Sequence, residues 1–414
     1  MLFEFSPYSS LLLPFFVQGI VFGVLLLVRS WRLEEPADRW LGLLILLYTA
    51  NVAQWMLGFA GWYDAHNAYS TFMFYFPFSF HLGAGPLFYF YFRNLTNQQF
   101  RLRKGQLWHF APAAAYVAWH VFCFVADVLV QHRALGQPLP EHFGTKGALI
   151  SIVAVHDVAS LLNYISLGAY GYFTLREFRQ YTRYLNDNFS DTERRRFRWL
   201  RHALVAVLVG TVVSVAFSLV DFGAGLSYVQ FWYGYLFTGL IIYYLSIGGW
   251  QAQHHGRVPL HFKPQPVGAD PAAPELVVKT APEPITDAPT TEQLRWAERL
   301  EQLMLTERPY LEPDLSLGDL ATRLQTNTTT LSKVINAGFG QNFNDFVNSY
   351  RVGEAERLLT DPKYQHYTLV GIALESGFNS KSTFNRVFKK LKGETPSEAA
   401  TRLKSQIASS RIIT

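Results

Sequence analysis

The stretch from Ser380 to Lys392, SKSTFNRVFKKLK, contains five cationic side chains and no acidic one. Apolar residues recur every three or four positions and predict a buried helix face: Phe384, Val387, Phe388 and Leu391. The opposite face is polar and carries Lys381, Ser382, Thr383, Asn385, Arg386, Lys389 and Lys390. Guanidinium, amide and hydroxyl groups read base edges, and ammonium groups bind phosphates. A single cationic helix is usually only a solvated surface, so this prediction of DNA binding needs a second observation.

That second observation is a similar, weaker pattern about fifty residues earlier. An apolar stripe at Leu317, Leu320, Ala321 and Leu324 is followed by a polar break and then by a second helix that buries Leu331, Val334 and Ile335. The exposed face of this second helix carries Thr329, Thr330, Ser332, Lys333 and Asn336.

The two patterns form a degenerate repeat of helix-turn-helix units. Ile372 and Ala373 precede Phe384 much as Leu320 and Ala321 precede Leu331, with one extra residue in the second turn. A helix-turn-helix places its second helix in the major groove, so two units can read successive grooves about 34 Å apart. The amphipathic stretch NFNDFVNSYRVGEAERLLT predicts one connecting helix that fixes their spacing.

The motifs IALESGFNSKSTFNRVFKKLKGETPSE and SYRVGEAERLL resemble the AraC/XylS family of bacterial transcription regulators over residues 310–404. The resemblance implies a seven-helix DNA-binding domain that regulates a nearby promoter, with the helices over 328–337 and 380–391 facing the grooves. The first of them departs from the family because Lys333 is its only basic residue.

The rest of the chain has a composition that is typical of lipid surroundings. Half of all residues are hydrophobic and only 16% are charged, and the charge deficit falls on the first 250 residues. Seven apolar stretches are long enough to cross a bilayer: 8–28, 40–60, 69–92, 107–130, 147–174, 199–221 and 228–249. The aromatic-rich third stretch contains Pro77 and Pro86, where it could break.

Arginine and lysine residues predict the orientation of these spans. The loops after the first, third and fifth spans carry fourteen of them, and the intervening segments carry only Arg133 and Lys146. We therefore expect the N-terminus outside a bacterial inner membrane and the C-terminal domain in the cytoplasm. In the third of these cytoplasmic loops, Ser190 and Glu193 have capping-box spacing, which predicts a helix that starts there and runs into the sixth span. The arginines of that loop are expected to face anionic lipid headgroups.

Ionisable side chains inside spans are costly and often functional. His81, His156 and Asp157 are candidate sensing residues, although interhelical hydrogen bonds that only hold the bundle together are an open alternative. No metal site and no cofactor are predicted, because no paired ligands share a helix face and Cys123 is the sole cysteine.

The sequence thus predicts an all-α protein in four parts: a seven-span domain (1–250), a linker with eight prolines (251–290), a connecting helix (291–309) and an AraC-type domain (310–414). We expect a one-component regulator that senses an unknown small-molecule or membrane signal, binds promoter DNA, and recruits or occludes RNA polymerase. Coupling through the connecting helix by homodimer formation, or through a change in the reach of the linker, is left open. The alternative is a membrane transporter or enzyme with a regulatory tail, but no Walker A, HExxH or GxSxG motif supports an enzyme.

Overall fold

The computed structural model describes residues 4–33, 35–65, 67–78, 81–97, 99–138, 155–192, 198–251, 262 and 291–411. Every regular element among these residues is helical, and an isolated antiparallel bridge joins Phe189 to Ser316. The prediction of an all-α fold is therefore confirmed for the described part of the chain. The predicted linker lies almost wholly outside the described residues.

The chain divides into two compact units, and the division is not a single cut along the sequence. The first unit comprises residues 1–178 and 198–263, and the second comprises residues 179–197 and 264–414. The last ten residues of the helix Val155–Asn188, with the segment that follows them, are thus counted with the C-terminal unit. The domain bounds from the sequence stay predictions.

The first unit contains eight helices in the described residues, the sixth of which continues into the second unit. Their bounds are α1 Pro7–Arg32, α2 Pro36–Phe59, α3 Ala68–Tyr75, α4 Ala84–Thr96, α5 Ala111–Phe124, α6 Val155–Asn188, α7 Arg198–Ala224 and α8 Tyr228–Gln251. A 3-10 segment, Lys104–Phe110, leads into α5, and a π-helical segment, Val125–Ala134, continues it.

Five helical segments in the described residues are long and apolar enough to cross a membrane: Pro7–Arg32, Pro36–Phe59, Lys104–Ala134, Arg201–Ala224 and Tyr228–Gln251. The predicted third span instead consists of α3 and α4. Helix α3 ends because Phe76 precedes Pro77 and adopts an extended conformation, which the proline ring favours in the residue before it. The predicted fifth span begins outside the described residues. Five spans are thus observed as candidates, and seven remain a prediction.

Helices α1, α2 and α8 pack against one another, and Arg29 joins their ends. Its guanidinium donates to Asp38 at the start of α2 (2.9 Å from Nη2 to Oδ1) and to the carbonyls of Gly249 and Trp250 at the end of α8 (3.0 and 2.8 Å). The carbonyls at a helix C-terminus lack intrahelical partners and carry partial negative charge, so a cation there is stabilising. Arg29 therefore stabilises the C-terminal end of α8 and joins it to α1 and α2.

The second unit contains the remaining helices: α9 Thr291–Thr306, α10 Leu317–Arg323, α11 Thr328–Phe339, α12 Phe343–Thr360, α13 Leu369–Glu375, α14 Lys381–Lys392 and α15 Pro396–Arg411. Helices α10 and α11 form the first helix-turn-helix unit, and α13 and α14 form the second. Helix α12 connects them, as the sequence predicted.

Each helix-turn-helix unit has its own hydrophobic core. The first combines Leu320, Leu331 and Ile335 with Phe346 of α12, and Met304 of α9 belongs to the same cluster and is fully buried. The second core gathers apolar residues of α12, α13, α14 and α15: Val352, Ala355, Leu358, Ile372, Ala373, Phe378, Phe384, Val387, Phe388 and Ala399. Helix α12 contributes to both cores, so it sets the distance between the units. Helix α9 is part of the first core and not a bare connector.

Candidate nucleic-acid interface

Helix α14 is well defined at both ends. The hydroxyl of Ser380 accepts from the backbone N–H of Thr383 (3.2 Å), which satisfies one of the first-turn donors. Gly393 ends the helix in the left-handed conformation (φ 77°). Phe384, Val387 and Phe388 are buried, whereas Leu391 is 37% exposed and leaves the predicted stripe. The anchored apolar face thus aims the other face outward.

The outward face of α14 carries most of the predicted contact residues: Lys381, Ser382, Asn385, Arg386, Lys389 and Lys390 are exposed. Thr383 is the exception, and its predicted outward placement is wrong. Its side chain is only 5% exposed, and its Oγ1 accepts a hydrogen bond from the Ser380 hydroxyl (3.0 Å), so it completes the cap. The Lys390 ammonium lies 2.6 Å from the Asp345 carboxylate of α12.

Helix α11 resembles α14 in its side-chain cap and its buried apolar face, but its outward face carries less charge. Asn327 caps it by accepting from the N–H of Thr330 (2.8 Å). Leu331, Val334 and Ile335 are buried, as predicted. Thr329 and Lys333 are exposed, while Thr330, Ser332 and Asn336 are half-buried. The face suits hydrogen bonding to bases better than phosphate neutralisation, since Lys333 is its single cation.

The two turns differ in a way that matters for packing. Each turn contains one residue with positive φ, Gln325 (55°) in the first unit and Gly377 (84°) in the second. The helix cap follows two residues later in the first unit, at Asn327, and three residues later in the second, at Ser380. Asn379 is thus the extra residue that the repeat predicted. A Cβ at Gly377 would lie 2.4 Å from the Tyr310 carbonyl oxygen, so the second turn packs directly on the backbone that precedes the first unit.

Arg351, in the middle of α12, connects the same parts. Its side chain is 1% exposed. It donates to the carbonyls of Tyr310 (2.7 Å) and Glu312 (2.8 Å), and its guanidinium carbon lies 5.9 Å from the centre of the Phe378 ring. Burial lowers the pKa of this guanidinium to about 10, whereas the negative charges of Asp191 and Asp314 act in the opposite direction and raise the pKa. A buried cation is tolerated only when it is well paired. These contacts therefore hold the two helix-turn-helix units in one arrangement.

Arg351 was not singled out from the sequence, because an arginine on an amphipathic helix is usually expected to face solvent. No local pattern reveals that its partners are backbone carbonyls some forty residues earlier in the chain.

Of the candidate sensing residues, His81 alone has a described side chain. The Asn51 amide nitrogen lies 2.8 Å from His81 Nε2, and Asn51 is buried in α2. The side chains of His156 and Asp157 lie outside those that the structure describes. Among the described residues, no group of three or more metal-binding side chains occurs.

The comparisons with known proteins agree with this geometry. The family "Helix-turn-helix domain" matches residues 320–402, which begin in α10 and end in α15. Two curated proteins of Staphylococcus aureus, from strains COL and MSSA476, are 34% identical to this chain over 89 residues, and each is named an uncharacterized HTH-type transcriptional regulator. The C-terminal domain is a helix-turn-helix domain of the AraC type.

The similarity covers a limited part of each protein. The match to these regulators spans 22% of this chain and 12% of theirs. No solved structure matches the chain.

Proposed function

We propose that this chain is a membrane-bound one-component transcriptional regulator. The observation that supports it most directly is the combination of two kinds of element in one chain. Five apolar helical segments of membrane length precede an AraC-type domain with two helix-turn-helix units. A DNA-binding domain on the same chain as a membrane domain needs no separate messenger between signal and promoter.

The DNA-binding domain reads promoter DNA through both recognition helices. Helix α14 contributes Lys381, Ser382, Asn385, Arg386, Lys389 and Lys390, and α11 contributes Thr329, Thr330, Ser332, Lys333 and Asn336. Side chains near the start of a recognition helix reach base edges, and the lysines near its end bind phosphates. The shared helix α12 and the buried Arg351 keep the two helices at a fixed spacing, which a double-site reader requires.

The apolar domain spans the bacterial inner membrane seven times, with its N-terminus outside and the AraC-type domain in the cytoplasm. Fourteen Lys and Arg residues in the loops assigned to the cytoplasm, against two outside, support this orientation. His81 with its partner Asn51, together with His156 and Asp157, forms the sensing part for a small-molecule or membrane signal. The bound domain then recruits or occludes RNA polymerase, either as one chain or as a homodimer.

The test is selection of DNA by the full-length protein in lipid nanodiscs. Duplexes from a randomised library are enriched over several rounds and then measured by fluorescence anisotropy at several salt concentrations. We expect a specific sequence to emerge and its affinity to fall steeply with salt, because cationic side chains displace counterions from phosphates.

Arg386→Ala is the diagnostic variant, with Arg295→Ala as the matched control. Both arginines are exposed, but Arg295 lies on α9 and outside both recognition helices. Loss of an arginine that reads a base costs about 1–3 kcal/mol, so we expect about tenfold weaker binding for Arg386→Ala and no change for Arg295→Ala. Enrichment of no sequence at any salt concentration would overturn the proposed function.

A further inference from the structure

Four consecutive residues between α6 and α7 are buried in the C-terminal unit: Phe189, Ser190, Asp191 and Thr192. Ser190 pairs with the backbone before α10, since its N–H and its hydroxyl both donate to the Leu315 carbonyl (3.1 and 2.7 Å). The Asn344 amide donates to the carbonyls of Phe189 (3.2 Å) and Ser190 (2.6 Å). We call residues 189–192 the docking segment.

The predicted role of Ser190 as a helix cap competes with these contacts. Its Oγ accepts from Nη2 of Arg351 (3.1 Å) while it donates to Leu315, so the hydroxyl is engaged by the DNA-binding domain. Glu193, the other half of the predicted capping box, lies outside the described residues. The described part of the next helix begins only at Arg198.

The docking segment contacts both helix-turn-helix units at once. Phe189 forms an extended bridge with Ser316, the cap of α10 in the first unit. At its other end, the Asp191 carboxylate accepts from the Asn379 side-chain amide (2.8 Å), and Asn379 directly precedes the cap of α14. Asn379 is also the residue that lengthens the second turn relative to the first.

The contact at Asn379 places a negative charge beside the recognition helix. The N-terminal residues of such a helix approach base edges, and its free N–H groups attract phosphates. A carboxylate held one residue before the cap repels a phosphate that approaches the start of α14.

We propose that the docking segment is an intramolecular lock that opposes DNA binding, and that the signal acts by releasing it. This inference rests on the proposed function, since a lock on DNA binding requires a DNA-binding protein. The route is short, because α6 runs unbroken to Asn188 and the docking segment begins at the next residue. A shift or rotation of α6 therefore pulls directly on Ser190 and Asp191.

The lock is tested by closing it covalently in the full-length protein. Cys123 is the sole cysteine, so Cys123→Ser gives a thiol-free background. Asp191→Cys and Asn379→Cys are added together, and a protease site is inserted in residues 264–290. A short bifunctional thiol reagent with a cleavable disulfide, applied to protein in nanodiscs, is expected to hold the two fragments together on a non-reducing gel after proteolysis. Chains with only one of the two cysteines are the controls.

DNA affinity is then compared before and after reduction, using the duplex selected by the uncross-linked protein. We expect the cross-linked protein to bind roughly tenfold or more weakly and reduction to restore its affinity, because locking removes the binding-competent population. Failure of the two fragments to cross-link would refute docking. Equal affinity in the two forms would refute the inhibitory role. If no form of the protein selects any DNA sequence, the proposed function is refuted. The gel then still shows whether the docking segment contacts the DNA-binding domain.

Asn344→Ala loosens the lock without altering the membrane domain or α14. It removes both amide donations to the carbonyls of the docking segment. With no other change in the chain, we expect severalfold tighter DNA binding, up to about thirtyfold if both hydrogen bonds are fully lost. Weaker DNA binding by Asn344→Ala would show that the docking segment supports the fold of the domain and would overturn the proposal.

Discussion

Gly377→Ala tests the packing that holds the two helix-turn-helix units together. Gly377 has a φ of 84°, in the left-handed region that side chains disfavour, and an added Cβ would lie 2.4 Å from the Tyr310 oxygen and 2.9 Å from the Leu311 Cα. Both contacts are with backbone atoms, which cannot rotate away. The Tyr310 oxygen is also the acceptor for Arg351 Nε (2.7 Å), so displacing it disturbs the buried cation.

The expected cost follows from two separate effects. A left-handed conformation costs an ordinary residue about 1–2 kcal/mol, and overpacking of a tight site adds about 1–3 kcal/mol. Gly393→Ala supplies the control for the first effect alone, because Gly393 also has positive φ (77°) but a Cβ there would meet no atom within 4 Å. We therefore expect Gly377→Ala to destabilise the second helix-turn-helix unit by about 2 kcal/mol more than Gly393→Ala does.

Amide hydrogen exchange of α14 in the full-length protein measures this difference. Since every 1.4 kcal/mol is a factor of ten, exchange through local opening should be about tenfold faster in Gly393→Ala and about 300-fold faster in Gly377→Ala. Equal acceleration in the two variants would refute the close approach of the second turn to the backbone at Tyr310.

Three further predictions concern the domain core, the DNA face and pH. Met304→Ala should destabilise the first helix-turn-helix unit by about 2–5 kcal/mol, because Met304 is fully buried. Amide hydrogen exchange in α11 should then be faster. An unchanged exchange rate would place α9 outside the core. Lys389→Gln should lower the slope of log DNA affinity against log salt concentration by about one. Lys390→Gln should lower this slope by less, because Lys390 is already paired with Asp345 in the free protein. Equal slopes for the two variants would argue against that pair. Hydrogen bonding from Arg357 lowers the pKa of Glu354, so its contribution to stability is present above its unfolded pKa and is lost as pH falls through the lowered value. Acid unfolding followed by tryptophan fluorescence should be less pH-dependent in Glu354→Gln, and an identical profile would contradict this.

The parts of the fold that were predictable are those with local causes. The stripe of Phe384, Val387 and Phe388 and the cap at Ser380 predicted α14 because each depends on neighbours within a helical turn. The break in the third span has an equally local cause, the proline at residue 77, although the hydropathy of the stretch favoured a continuous helix. Patterns of this kind are visible in the sequence because the interacting residues are three or four positions apart.

The contacts that organise the site were not predictable in the same way. Asn344 and Ser190 are more than 150 positions apart, and both are polar residues of a kind that usually faces water. At Ser190 the local rule was misleading: the spacing to Glu193 favoured a helix cap, whereas the fold engages the hydroxyl with Arg351 and Leu315. These long-range contacts give a buried hydroxyl both an acceptor and a donor, as buried polar groups require.

In the lock that we propose, the extra residue in the second turn supplies the contact with the docking segment. With a turn as short as the first, Gly377 would be followed two residues later by the cap, and no side chain would occupy the place of Asn379. The added residue presents an amide that donates to Asp191 (2.8 Å) and to the Pro313 carbonyl (3.2 Å), so it joins the docking segment to the loop before the first unit. The second helix-turn-helix unit therefore contacts the docking segment through an amide that the first unit lacks. Because α14 carries more cationic residues than α11, the proposed lock acts on the helix that we expect to contribute more to DNA affinity.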